Sequence, residues 1–147
     1  MAFSGTKDTT CYVCGPDNPL GLQVSFEQEG DSGSRAFYTA RKEHGGWNGI
    51  LHGGVTFSLM DEAFGWCLFF RNIPSVTARI ETRFHKAIPI GTRLYIRAWV
   101  VGKRRKLFDA KAEVREGDAN GTLFAEAEAV LYSVNPQASA KQVLTTV

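Results

Sequence analysis

The hydrophobic pattern of the chain changes period once and then changes back. In residues 22–28, LQVSFEQ, the apolar Leu22, Val24 and Phe26 alternate with Gln23, Ser25 and Glu27. Successive side chains leave a pleated backbone on opposite faces, so this alternation predicts a half-buried strand. The polar stretch 29–33, EGDSG, predicts a turn, and 34–41, SRAFYTAR, predicts its hairpin partner. Glycine and polar residues fill 42–49. From Gly53 to Phe70 the spacing becomes three to four: Phe57, Met60, Phe64 and Cys67 form one series, Leu59, Ala63, Trp66 and Phe70 another. Together they cover most of a helical circumference, which predicts a helix enclosed by the rest of the domain.

Alternation then returns in four runs. Val76, Ala78, Ile80, Thr82 and Phe84 form the first row, and Leu94, Ile96, Ala98 and Val100 the second. Phe108, Ala110, Ala112 and Val114 form the third, and Leu123, Ala125, Ala127, Ala129 and Leu131 the fourth. Breaks at 89–91, 102–105 and 117–121 are short, so consecutive runs are expected to be antiparallel neighbours. The alanines suit close approach of a bulky helix. Two strands, one buried helix and four strands predict an α+β fold, an antiparallel sheet of roughly five to six strands wrapped around one central helix.

A chain of 147 residues is expected to form one domain, with a core over 11–134, a loose start over Met1–Thr10 and a tail over Asn135–Val147. Seventeen basic residues against 15 acidic ones give a net charge of +2, no motive for nucleic-acid binding. No apolar run suits a bilayer span or a signal core, and the odd number of cysteines (Cys11, Cys14, Cys67) fits a reducing compartment. The expected setting is therefore cytoplasmic, away from membranes.

Within the helical stretch, GWNGILHGGVTFSLMDEAFGW (46–66) places Asp61 and Glu62 in an apolar run. The bland account is one narrow polar stripe on the helix, shared with Ser58. The entrance favours chemistry instead. His52-Gly53-Gly54 opens the helix, where backbone N–H groups lack intrahelical acceptors and can bind an anion or a developing oxyanion. A carboxylate two turns further on completes a set for attack on a carbonyl. Glu62 lies about 100° around the helix from Asp61 and is read as structural.

LHGGVTFSLMDEAFG, with the acid nine residues after the histidine, closely resembles the hotdog-fold acyl-CoA thioesterases of the PaaI-like group. CYVCGPDNPLGLQVSF (11–26) looks like a leader found in one branch of them, and VTARIETRFHKAIPIGTRLYIRAWV (76–100) is similar to their strands after the helix. The resemblance implies Asp61 as the catalytic carboxylate, His52 as the histidine before the paired glycines, and the backbone N–H of Gly54 or Gly53 as carbonyl polariser. It implies Thr77 near the attacking water. Some relatives carry asparagine six residues before the histidine; this chain has Gly46 there and Asn48 nearby. The resemblance further implies a homodimer or homotetramer that completes its site between subunits.

Other residues carry two readings each. Cys11-x-x-Cys14 is either half a zinc site, with His44 or His52 as a distant partner, or a pair of reduced structural thiols. Cys67 is expected in the core. Lys103-Arg104-Arg105-Lys106 is a solvated turn or a clamp for the coenzyme A phosphates, with Arg83 and Lys86 as further contributors. Trp47, ahead of the glycines, is a candidate wall of the acyl pocket.

The expected function is hydrolysis of an acyl-CoA thioester to free acid and coenzyme A, without metal or organic cofactor. Asp61 either activates water or attacks directly. A non-catalytic acyl-CoA sensor of the same fold, and an interaction domain built on a Cys11/Cys14 metal site, are the alternatives.

Overall fold

The computed structural model describes residues 7–135 and Gln142; the rest of the expected tail and the first six residues of the expected loose start lie outside them. Strand β1 (Phe26–Glu29) turns into β2 (Gly33–Thr39), and a single 3-10 turn (Lys42–His44) leads toward helix α1 (Gly53–Phe69). Four strands follow: β3 (Ser75–Phe84), β4 (Arg93–Arg104), β5 (Leu107–Glu116) and β6 (Leu123–Ser133). The expected α+β order therefore holds. All pairings are antiparallel, in the order β1-β2-β4-β5-β6-β3.

That order corrects one expectation. β4–β5 and β5–β6 are neighbours, but β3 pairs with β6 and β4 pairs with β2. The helix carries the chain from β2 across the sheet to its far edge, and 85–92 bring it back. Leu51 N–H to Ile88 C=O (2.9 Å) and Gly91 N–H to Ala40 C=O (2.7 Å) fasten that return segment beneath the helix entrance.

The alanine rows form the floor on which α1 rests. Ala98 faces Ala112, and Ala112 faces Ala127, all buried. With no long side chains between them, Ser34 of β2 reaches the helix backbone, its hydroxyl donating to Ala63 C=O at 2.6 Å. Cys67 lies in the core, as expected.

Enclosure of α1 is only half realised. Val55, Thr56, Leu59, Met60, Ala63, Phe64, Cys67 and Leu68 are buried, a continuous stripe toward the sheet. The opposite side, including Gly53, Gly54 and Phe57, is exposed, with Asp61, Glu62 and Trp66 half-buried. Apolar residues there imply cover that the described residues do not supply.

The first predicted strand is also shorter than its alternation. Leu22, Val24 and Phe26 are buried, yet the ladder begins at Phe26, and Gln23 sits at φ 53°. Residues 22–24 pair instead with the preceding segment: Leu22 N–H donates to Tyr12 C=O (2.8 Å) and Val24 N–H to Val13 C=O (2.9 Å). Residues 7–10, expected to be loose, are tied down: the Thr10 hydroxyl and amide both donate to Asp8, and Asp17 N–H donates to Thr9 C=O.

Candidate active site

His52 begins α1 from an extended backbone conformation, and its C=O accepts the first helical bond from Val55 N–H at 2.9 Å. Its ring folds back, so that Nδ1 accepts from Gly54 N–H at 2.8 Å and the neutral ring carries its proton on Nε2. A β-carbon on Gly54 would lie 2.9 Å from that nitrogen, so glycine makes room for the cap. The histidine therefore occupies the Gly54 donor. The Gly53 N–H has no protein acceptor among the described residues, so of the two glycines it is the one left open to an outside acceptor. The ring of Phe84, from the end of β3, lies 3.7 Å from where a Gly53 β-carbon would stand and walls this entrance. Sequence reading passes over Phe84, because a strand row does not reveal which helix turn its last residue meets.

Asp61 lies on the flank of α1 toward β3. Thr77 Oγ1 donates to Asp61 Oδ1 at 2.8 Å. Simple alternation puts Thr77 on the face opposite Ile80, but the register shifts between Thr77 and Arg79. Ala78 is the extra residue of a bulge, and bulges re-aim side chains. Thr77 thereby pairs with the buried Leu131, Ile80 with the buried Ala129, and both lie on the helix side. Desolvation of Asp61 raises its carboxyl above the ordinary aspartate range; the Thr77 hydrogen bond pulls the other way, Glu62 adds to the rise and Lys7 opposes it.

Glu62 points to the other flank. Its Oε1 accepts from Lys7 Nζ at 2.7 Å, with the Glu62 side chain only 13% exposed. A β-carbon on Gly65 would lie 3.3 Å from the same ammonium, so the space at Gly65 admits Lys7. Cys11 and Cys14 lie beside Glu62, with the three ligand atoms within 4.8 Å of one another. His44 and His52 are engaged elsewhere, with the Tyr38 hydroxyl and with Gly54.

The loop ahead of the helix is a small closed turn, with Gly46 N–H on Ile50 C=O at 2.8 Å and Ile50 N–H on Trp47 C=O at 2.9 Å. Trp47 is 85% exposed and lines an open recess of about 610 Å³ with Gly45, Gly46, Leu51, His52 and Gly53. A β-carbon on Gly46 would lie 3.1 Å from His52 Cα, so a side chain there would press on the histidine. Asn48 is exposed at the turn and lines a neighbouring recess with Trp47 and Lys42.

The basic residues do not converge. Lys86 lies two residues beyond Phe84, at the helix entrance, whereas Arg83 alternates to the outer sheet face opposite Glu126. Lys103 and Arg71 both stand over the Phe108 ring, at 5.3 and 6.0 Å, which places the basic turn by the C-terminal end of α1. That end is about 25 Å from Gly53 by the rise of a helix. Arg104 is held there by Asp109, at 3.1 Å. Arg105 takes φ 58° at the turn.

The family model for the thioesterase superfamily matches residues 48–123, just over half of the chain. Solved structures share the fold. One, a thioesterase superfamily protein, has a TM-score of 0.74 at 25% identity over 84% of this chain, which spans only 61% of that one. Zebra fish thioesterase superfamily member 2 gives 0.70 at 24% identity, over 80% of this chain and 89% of its own. A Streptococcus mutans protein bound to acetyl CoA gives 0.70 at 16%, over 78% and 91%. Among curated proteins none matches. The helix on a six-stranded antiparallel sheet is the hotdog fold of these structures.

Proposed function

The chain belongs to the thioesterase superfamily, and from that premise we propose that it hydrolyses an acyl-CoA thioester to the free acid and coenzyme A. The observation that carries this reading is the Asp61–Thr77 pair, half-buried on the open side of a helix whose first N–H has no acceptor among the described residues. The carbonyl oxygen of the thioester is held by Gly53 N–H, which withdraws charge as the tetrahedral intermediate forms. Asp61 takes a proton from a water as that water adds to the carbonyl carbon. Collapse of the intermediate breaks the carbon–sulfur bond, and the proton passes to the departing thiolate. Thr77 donates to one Asp61 oxygen and leaves the other for the water. His52 fixes the helix entrance from outside the reaction, and Trp47 with Asn48 lines the approach.

The working unit in this reading is a homodimer or a tetramer built from dimers. β3 presents ten residues on the outer edge of the sheet, and a long open edge invites a second strand. A partner also supplies the missing cover for the exposed side of α1. Similarity to a fold that has been crystallised with acetyl CoA supports the choice of coenzyme A esters.

The test is a panel of acyl-CoA esters, short, long and aromatic, with release of free thiol as the readout. Turnover of at least one class at a rate abolished by loss of Asp61 supports the proposal. Tight binding across the panel with no thiol release overturns it in favour of a sensor.

A further inference from the structure

The flank of α1 away from Asp61 carries a second constellation that the thioester chemistry does not use. We propose that Cys11, Cys14 and Glu62 form a binding site for a thiophilic divalent cation of the zinc class, which pins the N-terminal segment to the central helix.

Three observations lead there. First, the two thiols are presented by a fixed knuckle. Gly15 N–H donates to Cys11 C=O at 2.9 Å, and a β-carbon on Gly15 would lie 2.4 Å from the Cys11 nitrogen. Glycine is thus the residue that allows the chain to fold back so tightly. Between the cysteines, Val13 is buried and its C=O accepts from Val24 N–H, so the knuckle cannot rotate away from the helix.

Second, the third ligand comes from a different element. Glu62 projects from α1 so that one carboxylate oxygen and both sulfurs lie within 4.8 Å of one another. A tetrahedral zinc with bonds of about 2.3 Å to sulfur and about 2.0 Å to oxygen needs its ligand atoms roughly 3.5–3.8 Å apart. Small side-chain rotations that bring the ligand atoms at most about 1.3 Å closer together close that difference. Two sulfurs and one oxygen favour zinc over magnesium or calcium, which take all-oxygen sets. Water completes the fourth position.

Third, the charges balance with Lys7 in place. Lys7 Nζ donates to Glu62 Oε1 at 2.7 Å, and an ionised carboxylate keeps further lone pairs for a metal. Uptake of the cation releases both thiol protons. Two thiolates and one carboxylate then carry three negative charges, cancelled by the divalent cation and the ammonium. Without metal, the Lys7–Glu62 ion pair is already balanced. Both states are therefore tolerable in this half-buried place.

The experiment uses the reduced full-length protein, stripped with chelator and titrated with Co²⁺ alone, then with Zn²⁺ as competitor. The expected result is a thiolate-to-cobalt charge-transfer band with tetrahedral visible bands, saturating at one equivalent and bleached by zinc. Cys14→Ser should weaken zinc binding by at least about 100-fold, and Glu62→Gln by about 10- to 100-fold with the thiolate band retained. Zinc should raise the Tm of the stripped protein by about 2–8 °C. Comparable melting of the stripped variants and the stripped wild type checks that each still folds. No cobalt band, a band that survives Cys14→Ser, or unchanged affinity in Glu62→Gln overturns the site, as does oxidation to a Cys11–Cys14 disulfide with no metal uptake. None of these measurements involves acyl-CoA, so they stand or fall apart from the thioesterase reading.

Discussion

Thr77 and Asp61 meet at 2.8 Å although strict strand alternation would keep them on opposite faces of the sheet. The extra residue Ala78, where β3 slips against β6, turns the threonine hydroxyl toward the helix. That contact does two things. It satisfies one oxygen of a carboxylate that burial makes costly, and it fixes the carboxylate plane toward the open flank.

The pair of adjacent acids gives the sharpest comparison. Asp61→Asn keeps the shape and removes the basicity, so kcat should fall by at least about 100-fold with little change in Tm. Glu62→Gln changes a side chain on the opposite flank, bound to Lys7, and should cost kcat no more than about threefold. Steady-state thiol release and thermal melts on both variants decide the matter. A dead Glu62→Gln beside a nearly normal Asp61→Asn would reverse the assignment.

Thr77 is a positioning residue in this scheme. Thr77→Val keeps the β-branched shape that suits an edge strand but loses the donor, and kcat should drop by about 10-fold with KM nearly unchanged. Thr77→Ser restores the hydroxyl and should recover most of the rate. Equal kcat in the valine and serine variants would show that the hydroxyl is idle.

Coenzyme A phosphates need a cation at the correct end of the helix. Lys86 stands at the Gly53 end, so Lys86→Ala should raise KM several-fold at low salt, with the effect shrinking as salt rises past about 0.15 M. Arg105→Ala, at the far end, should leave KM as it is. The reverse outcome, measured over a salt series, would seat the nucleotide on the basic turn.

Acid stability should depend on Glu113. Its oxygens accept from Arg115 Nε at 2.8 Å and Arg97 Nε at 3.1 Å. The Arg115 hydrogen bond leads in holding Glu113 below the ordinary glutamate range, against the opposing effect of burial. A depressed folded pKa means that the stabilisation is fully present above the unfolded value, about 4.5, and disappears as pH falls through the lower folded value. Glu113→Gln should therefore melt about 2–4 °C below wild type at pH 7, and the gap should close progressively as pH falls from about 4.5 through the lower folded value. A gap that stays constant from pH 7 to pH 3 would mean that the charge is not its source.

The order of elements, the limits of α1 and the His52-to-Asp61 spacing were legible in the sequence because they rest on local causes. Hydrophobic period, turn residues and the backbone freedom of paired glycines act within a few residues of one another. Alanine rows likewise announced a sheet that a helix could approach closely. Tertiary structure decided what depends on distant partners. The Ala78 bulge exists only relative to the register of β6, and it alone brings Thr77 to Asp61. Occupation of Gly54 N–H by His52 depends on how the ring folds over the helix start, which leaves Gly53 as the donor without an acceptor among the described residues. Strand order was equally hidden, because short breaks between runs say nothing about which edge the helix carries the chain to. Glu62 read as a structural acid in one dimension; only the fold of the leader over α1 sets Lys7, Cys11 and Cys14 around it.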